Sequence, residues 1–236
     1  MQRSDGSFVS KYVPSRGGPD PTWVSLYYPG EAALGLVMLF ERDPDPRWLR
    51  AAIDALRYLA RLRETQAKPP ADHWALIATA RLLRQPLPAL EAAAPPALPW
   101  TVRQGQGLRD LLVAHTERVV DAMLAEQHDL NGLPCLDGGF NAEGRIAPSA
   151  TRLEGLLAAL DFLAQGPRRA AAEQAVSRGL AFLAAGQIEQ GAWRGGFPRV
   201  SPACRSLSPR ANEIRIDYVQ HALSALLEEH RRAAGR

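Results

Sequence analysis

The sequence predicts an all-α fold built from helical hairpins in two layers, and three observations lead there. Glutamines recur as Gln2, Gln66, Gln127 and Gln187, spaced 64, 61 and 60 residues apart, and a steady period of this length marks a repeat architecture. Helical runs of two kinds alternate along the chain, one amphipathic and one apolar nearly all round. Segments rich in Pro, Gly and Asn separate them.

Taken in order, Pro29–Phe40 carries almost no charge after Glu31 and opens on a proline, as a buried helix start does. Arg47–Arg63 sets a stripe of Leu49, Ile53, Leu56 and Leu59 against Arg50, Asp54, Arg57 and Arg61, so one side faces solvent. Trp74–Leu83 is interrupted only by Thr79 and Arg81 and belongs with the buried kind. Leu108–Gln127 is amphipathic again, and its apolar stripe carries His115, expected as a hydrogen-bonded core histidine. Ser149–Leu163 is apolar, Pro167–Gly186 amphipathic and Ile216–Leu227 apolar with several polar residues. These make about seven long helices. Their alternation is what an inner layer enclosed by an outer layer produces. The breaks fall at Asp43-Pro-Asp-Pro, Lys68-Pro-Pro, Pro86–Pro99, Asn131–Ala147 and Gly195–Pro209. Sustained two-residue alternation is absent, so no sheet is expected.

Composition narrows the class. A chain of 236 residues with 46% hydrophobic and 22% charged residues fits one globular domain over 1–236. The net charge of +3 comes from scattered arginines, which excludes a nucleic-acid footprint. No apolar run approaches the roughly 18 residues of a membrane span, and the first residues lack a signal-peptide stretch. A soluble, cytoplasmic protein without a membrane partner is expected. Cys135 and Cys204 are too few for a disulfide framework and are expected as free thiols.

The segment Arg178–Trp193 resembles the QW repeat of squalene and hopene cyclases and related α/α-toroid proteins. It matches at Arg178, Gly179, Phe182, Leu183, Gln187, Gly191 and Trp193. The repeat organisation is also similar to six-hairpin carbohydrate-active enzymes and sugar epimerases. The resemblance implies an α/α toroid, with the glutamine tying a helix end and the tryptophan stacking on it as scaffold. Six hairpins at this period need about twice the residues that follow Gln2. The chain therefore resembles the later part of a toroid, its N-terminal repeats missing, and three outcomes are open: an open arc, a ring completed by a homodimer or a partner chain, or descent from a truncated ancestor.

In such a ring the openings of the inner helices face a shared hollow, and the unusual polar residues lie there. Tyr28 and Glu31 open the first, Asp72, His73 and Trp74 the second, Arg152 and Glu154 the third, and Asp217, Tyr218 and His221 the fourth. Asp217 and His221 stand four residues apart on one helical face, and a carboxylate orienting an imidazole makes a general acid or base near neutral pH. Glu31, Asp217 and His221 are the candidate catalytic groups. Tyr28, Asp72, His73, Trp74, Arg152, Glu154 and Tyr218 are the candidate substrate contacts, with Arg152 suited to a carboxylate. Asp72 and Ser149 equally suit helix N-caps.

Cys135, Asp137 and His221 match the residue types of prenyltransferase zinc ligands but not their order or spacing. No metal and no cofactor is expected. The Asp-x-Asp-Asp run of hopene-type cyclases is missing, and aromatics make up only 7% of the chain, which places an isoprenoid-handling protein last. The leading expectation is an enzyme acting on a small-molecule or glycan substrate, a carbohydrate or uronic-acid-like compound, by acid–base chemistry of epimerase, lyase or hydrolase type. The alternative is a non-catalytic toroid fragment that binds a protein or glycan partner.

Overall fold

The structure, a computed structural model, describes residues 1–20, 22–93 and 102–235. Helices dominate it, as the periodicity requires. They are α1 Tyr28–Phe40, α2 Pro46–Leu62, α3 His73–Leu83, α4 Leu87–Ala92, α5 Val102–Leu124, α6 Ile146–Ala159, α7 Pro167–Gly186 and α8 Ile216–Ala234. Among the described residues none is long and apolar enough to cross a membrane. The chain divides into two compact units, Met1–Val119 and Val120–Arg236, with the boundary inside α5.

In the first unit α1 packs on α2 and on α3. α2 starts where Asp45 accepts a hydrogen bond from the Arg47 amide and Pro46 fills the first helical position, the start that Asp43-Pro-Asp-Pro announces. It buries Leu49, Ile53, Leu56 and Leu59 against Ala33 and Val37 of α1. α1 itself is less enclosed than its apolar sequence suggests: Gly30, Ala33 and Val37 are buried and Leu34, Leu36 and Phe40 pack beside them, while Met38 and Leu39 remain exposed. The short α4 lies inside the Pro86–Pro99 break, where Pro88 seeds a turn that buries Leu90. The rest of that break, from 94 on, lies outside the described residues. A two-residue hairpin, β1 Tyr12–Val13 with β2 Gly18–Pro19, is a local departure from the all-helical expectation. It is closed by a 3-10 turn and by Gly17 at positive φ.

In the second unit α6 packs on α7 and α8. α7 begins at Pro167 and ends at Gly186, as its sequence predicts. α6 starts three residues before Ser149, so that serine is not an N-cap. No side chain caps the first turn of α6; Asn141 instead fixes the residue before it, its side chain accepting from the Arg145 amide and donating to the Arg145 carbonyl. The Ser149 hydroxyl donates to the Arg145 carbonyl and accepts from the Phe140 amide.

Cys135 and Cys204 are joined in a disulfide, with Cα atoms 5.3 Å apart. This corrects the expectation of free thiols. Two 3-10 turns, Pro134–Leu136 and Pro202–Leu207, pack against each other and bring the sulfurs together across 69 residues.

The periodic glutamines have a common job. In the first unit the Gln2 amide donates to the carbonyls of Gly6 and of Ala51 in α2. In the second, the Gln127 amide donates to Gly138 and to Ala175 in α7. Gly6 and Gly138 have positive φ, and a Cβ on either would sit 2.3 Å from a helix carbonyl, that of Asp54 or Arg178. Only glycine lets the loop press onto the helix in this way. Two residues after each glycine, Phe8 and Phe140 turn towards their units' apolar interiors. Gln187 repeats half of the clasp, donating to Gly195. Gln66 departs from it: its amide turns back to Leu62, and Arg118 of α5 donates to its main-chain carbonyl. Trp193, expected to stack as scaffold, is 69% exposed.

Candidate functional site

The polar residues of the first unit are tied into its frame. Asp72 caps α3, accepting from the Ala75 amide at 3.1 Å, and receives Arg63 from the end of α2 at 2.7 Å. Both side chains are buried. Burial pushes the Asp72 carboxyl up, against the pull of the Arg63 guanidinium and the α3 amides. Arg63 also lies 3.5 Å from Nε2 of the buried His115. His73 is buried between the rings of Tyr27 and Trp74, at centroid distances of 5.4 and 4.8 Å. Tyr28 makes an edge contact with Phe8. Glu31, expected to be carried inward by α1, is exposed.

His115 gives this cluster a pH signature. Burial first, then the charges of Arg63 and Arg118, lower its pKa from 6.5 to about 3. Between those values the unfolded chain binds a proton that the folded one refuses, so stability is intact above pH 6.5 and falls as pH drops below it. The slope is roughly 1.4 kcal/mol per pH unit. Going from about pH 7 to about pH 5 should therefore cost the wild type about 2 kcal/mol more than His115→Gln, as read from urea midpoints. The comparison cancels other titrating groups, Asp72 included. Equal pH responses of the two proteins would refute this account.

The second unit holds a closer approach to chemistry. Glu154 on α6 and His221 on α8 meet with Oε2 and Nδ1 2.8 Å apart. The Glu154 side chain is 4% exposed and that of His221 16%, so a buried carboxylate backs an imidazole that still reaches the surface. The carboxylate is not the one that sequence spacing offers. Asp217 turns away to Arg215, 3.0 Å distant. Arg152 is held by Glu126 from the chain just after α5, its Nε and Nη2 at 3.1 and 3.0 Å from one oxygen. The buried Tyr218 hydroxyl accepts from Arg199 and donates to Glu213. Arg152 and Tyr218 thus stand near the dyad in sequence but have protein partners of their own.

Glu126 was not among the residues the sequence singled out. Its only signal is an acid at the end of an amphipathic run, which is also what an ordinary solvated residue looks like. The zinc-like set is dissolved by the disulfide on Cys135 and by Arg178, which donates to Asp137. A cavity of about 630 Å³ in this unit is lined by Leu160, Arg169, Glu173, Val176, Leu180 and Arg232 among others, and does not include the dyad. Geometry and chemistry favour the dyad over that cavity, because its Arg169 and Glu173 already pair with each other.

No family model, curated protein or solved structure matches this chain. The dyad is therefore read from its own geometry.

Proposed function

We propose that the chain is an enzyme that moves a proton with the Glu154–His221 dyad, on a carbohydrate or uronic-acid-like substrate. The observation that carries this reading is the 2.8 Å contact between His221 Nδ1 and a buried Glu154 oxygen. A carboxylate at Nδ1 fixes the ring's orientation and holds a proton there, which leaves Nε2 basic. It also stabilises the imidazolium that forms when Nε2 takes a proton from a substrate hydroxyl or C–H group. Returning a proton taken from carbon to the leaving oxygen beside it completes a lyase cycle, and returning one taken from an attacking water to the glycosidic oxygen completes a hydrolase cycle, whereas an epimerase cycle needs a second proton donor, such as water, on the opposite face of the carbon.

Arg152 refines the substrate side. Its guanidinium already binds Glu126, so a uronate carboxylate would take the place of one already present. Exchange of one carboxylate for another conserves charge on the arginine.

The disulfide bears on location. Such bonds persist chiefly in oxidising compartments, which supports a non-cytosolic site of action over the cytoplasmic one expected from the lack of a signal-peptide stretch and of a membrane span.

The test uses aryl glycosides, free hexoses and oligouronates in deuterated water, followed by NMR for bond cleavage, new double bonds or deuterium at carbon. Turnover of one of these is expected, with Glu154→Gln and His221→Gln each about 10²–10⁴-fold slower and melting within a few degrees of wild type. Variants that keep full activity, or a wild type inert on all three substrate types, would remove the proposal.

A further inference from the structure

α8 packs on α6 through the buried Tyr218, Ala222 and Ala225. Its other side carries Ile216, Gln220, Leu223, Leu227, His230 and Ala234, all exposed, at steps of four, three, four, three and four residues. That alternation is the seam of a helix that pairs with another helix. Ile216 is 87% exposed, Leu223 50% and Leu227 44%. On α1 the corresponding arrangement is covered: Ala33 and Val37, also four residues apart, lie buried under α2. Among the described residues Leu223 and Leu227 have no such cover.

We propose that α8 pairs antiparallel with α8 of a second copy of this chain, making a two-fold homodimer. Charge complementarity selects both the occupant and the direction. Asp217, paired within the chain with Arg215, lies in the first turn and Arg231, paired with Glu228, in the last, two heptads apart, flanking the seam on the same side. In the antiparallel register that sets Leu223 against the partner's Leu227, Ile216 meets the partner's Ala234 and Gln220 the partner's His230. Asp217 then faces the partner's Arg231, and the symmetry makes this contact twice. Ser224, small and exposed, meets its own copy on the axis. A parallel pair would place Asp217 and Arg231 against the other flank of the partner's seam, so that this contact is lost, and it would align the two helix dipoles. His221 lies about 200° round the helix from Leu223, so the seam and the dyad use different faces.

This inference stands apart from the proposed chemistry and is tested without it. Sedimentation equilibrium of the full chain between about 1 and 100 μM should give twice the 25.7 kDa chain mass. Leu223→Glu should give a monomer of unchanged helicity. Asp217→Arg and Arg231→Asp should each weaken association by about tenfold, and the two together should restore it to within about threefold of wild type. The charge variants keep the test independent of any folding defect at Leu223. A wild type that stays monomeric throughout, leaving the face to a different protein, overturns the proposal. So does a dimer that survives Leu223→Glu, or a double variant that associates no better than the single ones.

Discussion

Asp72→Ala should lower the thermal midpoint by about 10 °C, the result of stranding a buried cation. Arg63 reaches Asp72 at 2.7 Å with 4% of its side chain exposed, and its partner is fully buried. Removing the carboxylate leaves the guanidinium with no counter-charge in a site closed to water, a loss of about 3–5 kcal/mol. The Ala75 amide loses its cap at the same time, which adds about 1 kcal/mol. Arg63→Met combined with Asp72→Ala should recover a large part of the loss, because a matched apolar replacement carries no stranded charge. A single variant that melts within about 3 °C of wild type would show that the pair is solvated in solution.

Reduction of the Cys135–Cys204 bond carries the other large effect. It closes a loop of 69 residues, and in the chain-entropy picture a loop of that size stabilises the folded state by about 4 kcal/mol, with about 2–4 typical of measured bridges. Chemical denaturation with and without dithiothreitol, alongside the Cys135→Ser/Cys204→Ser double variant, measures the difference. The reduced wild type and the double variant should agree with each other and fall below the oxidised protein. A midpoint indifferent to reductant would mean that the two turns hold each other without the bond.

What the sequence made legible was local. α7 runs from Pro167 to Gly186 as read: proline at its start acts on the backbone itself, and Gly186 in its last turn makes room for Ile146. The glutamine period was legible for the same reason: in three of its four members the amide closes a short loop onto a nearby main-chain carbonyl. The start of α6 was not, since no side chain caps it and the residue before it is fixed by Asn141, outside the helix. Tertiary partners were hidden altogether. Asp217 and His221 share a helical face, yet the imidazole meets Glu154 across 67 residues, while Asp217 bends to Arg215 two residues away. Likewise two cysteines carry no sign of pairing until the turns around them pack. Asp72 was legible as a cap, but Arg63, which turns that cap into a buried ion pair, reads in sequence only as the last residue of an amphipathic run.

The glutamine clasps leave the chain unusually free at one place. Gln2 and Gly6 are four residues apart, Gln127 and Gly138 eleven, and Gln187 and Gly195 eight, yet each pair makes the same amide-to-carbonyl bond. The tie depends on its two ends alone, so whatever lies between them can grow, shrink or change character without moving a helix. In the second unit that latitude houses Cys135. New surface can be added to this scaffold one loop at a time while its helical frame stays as it is.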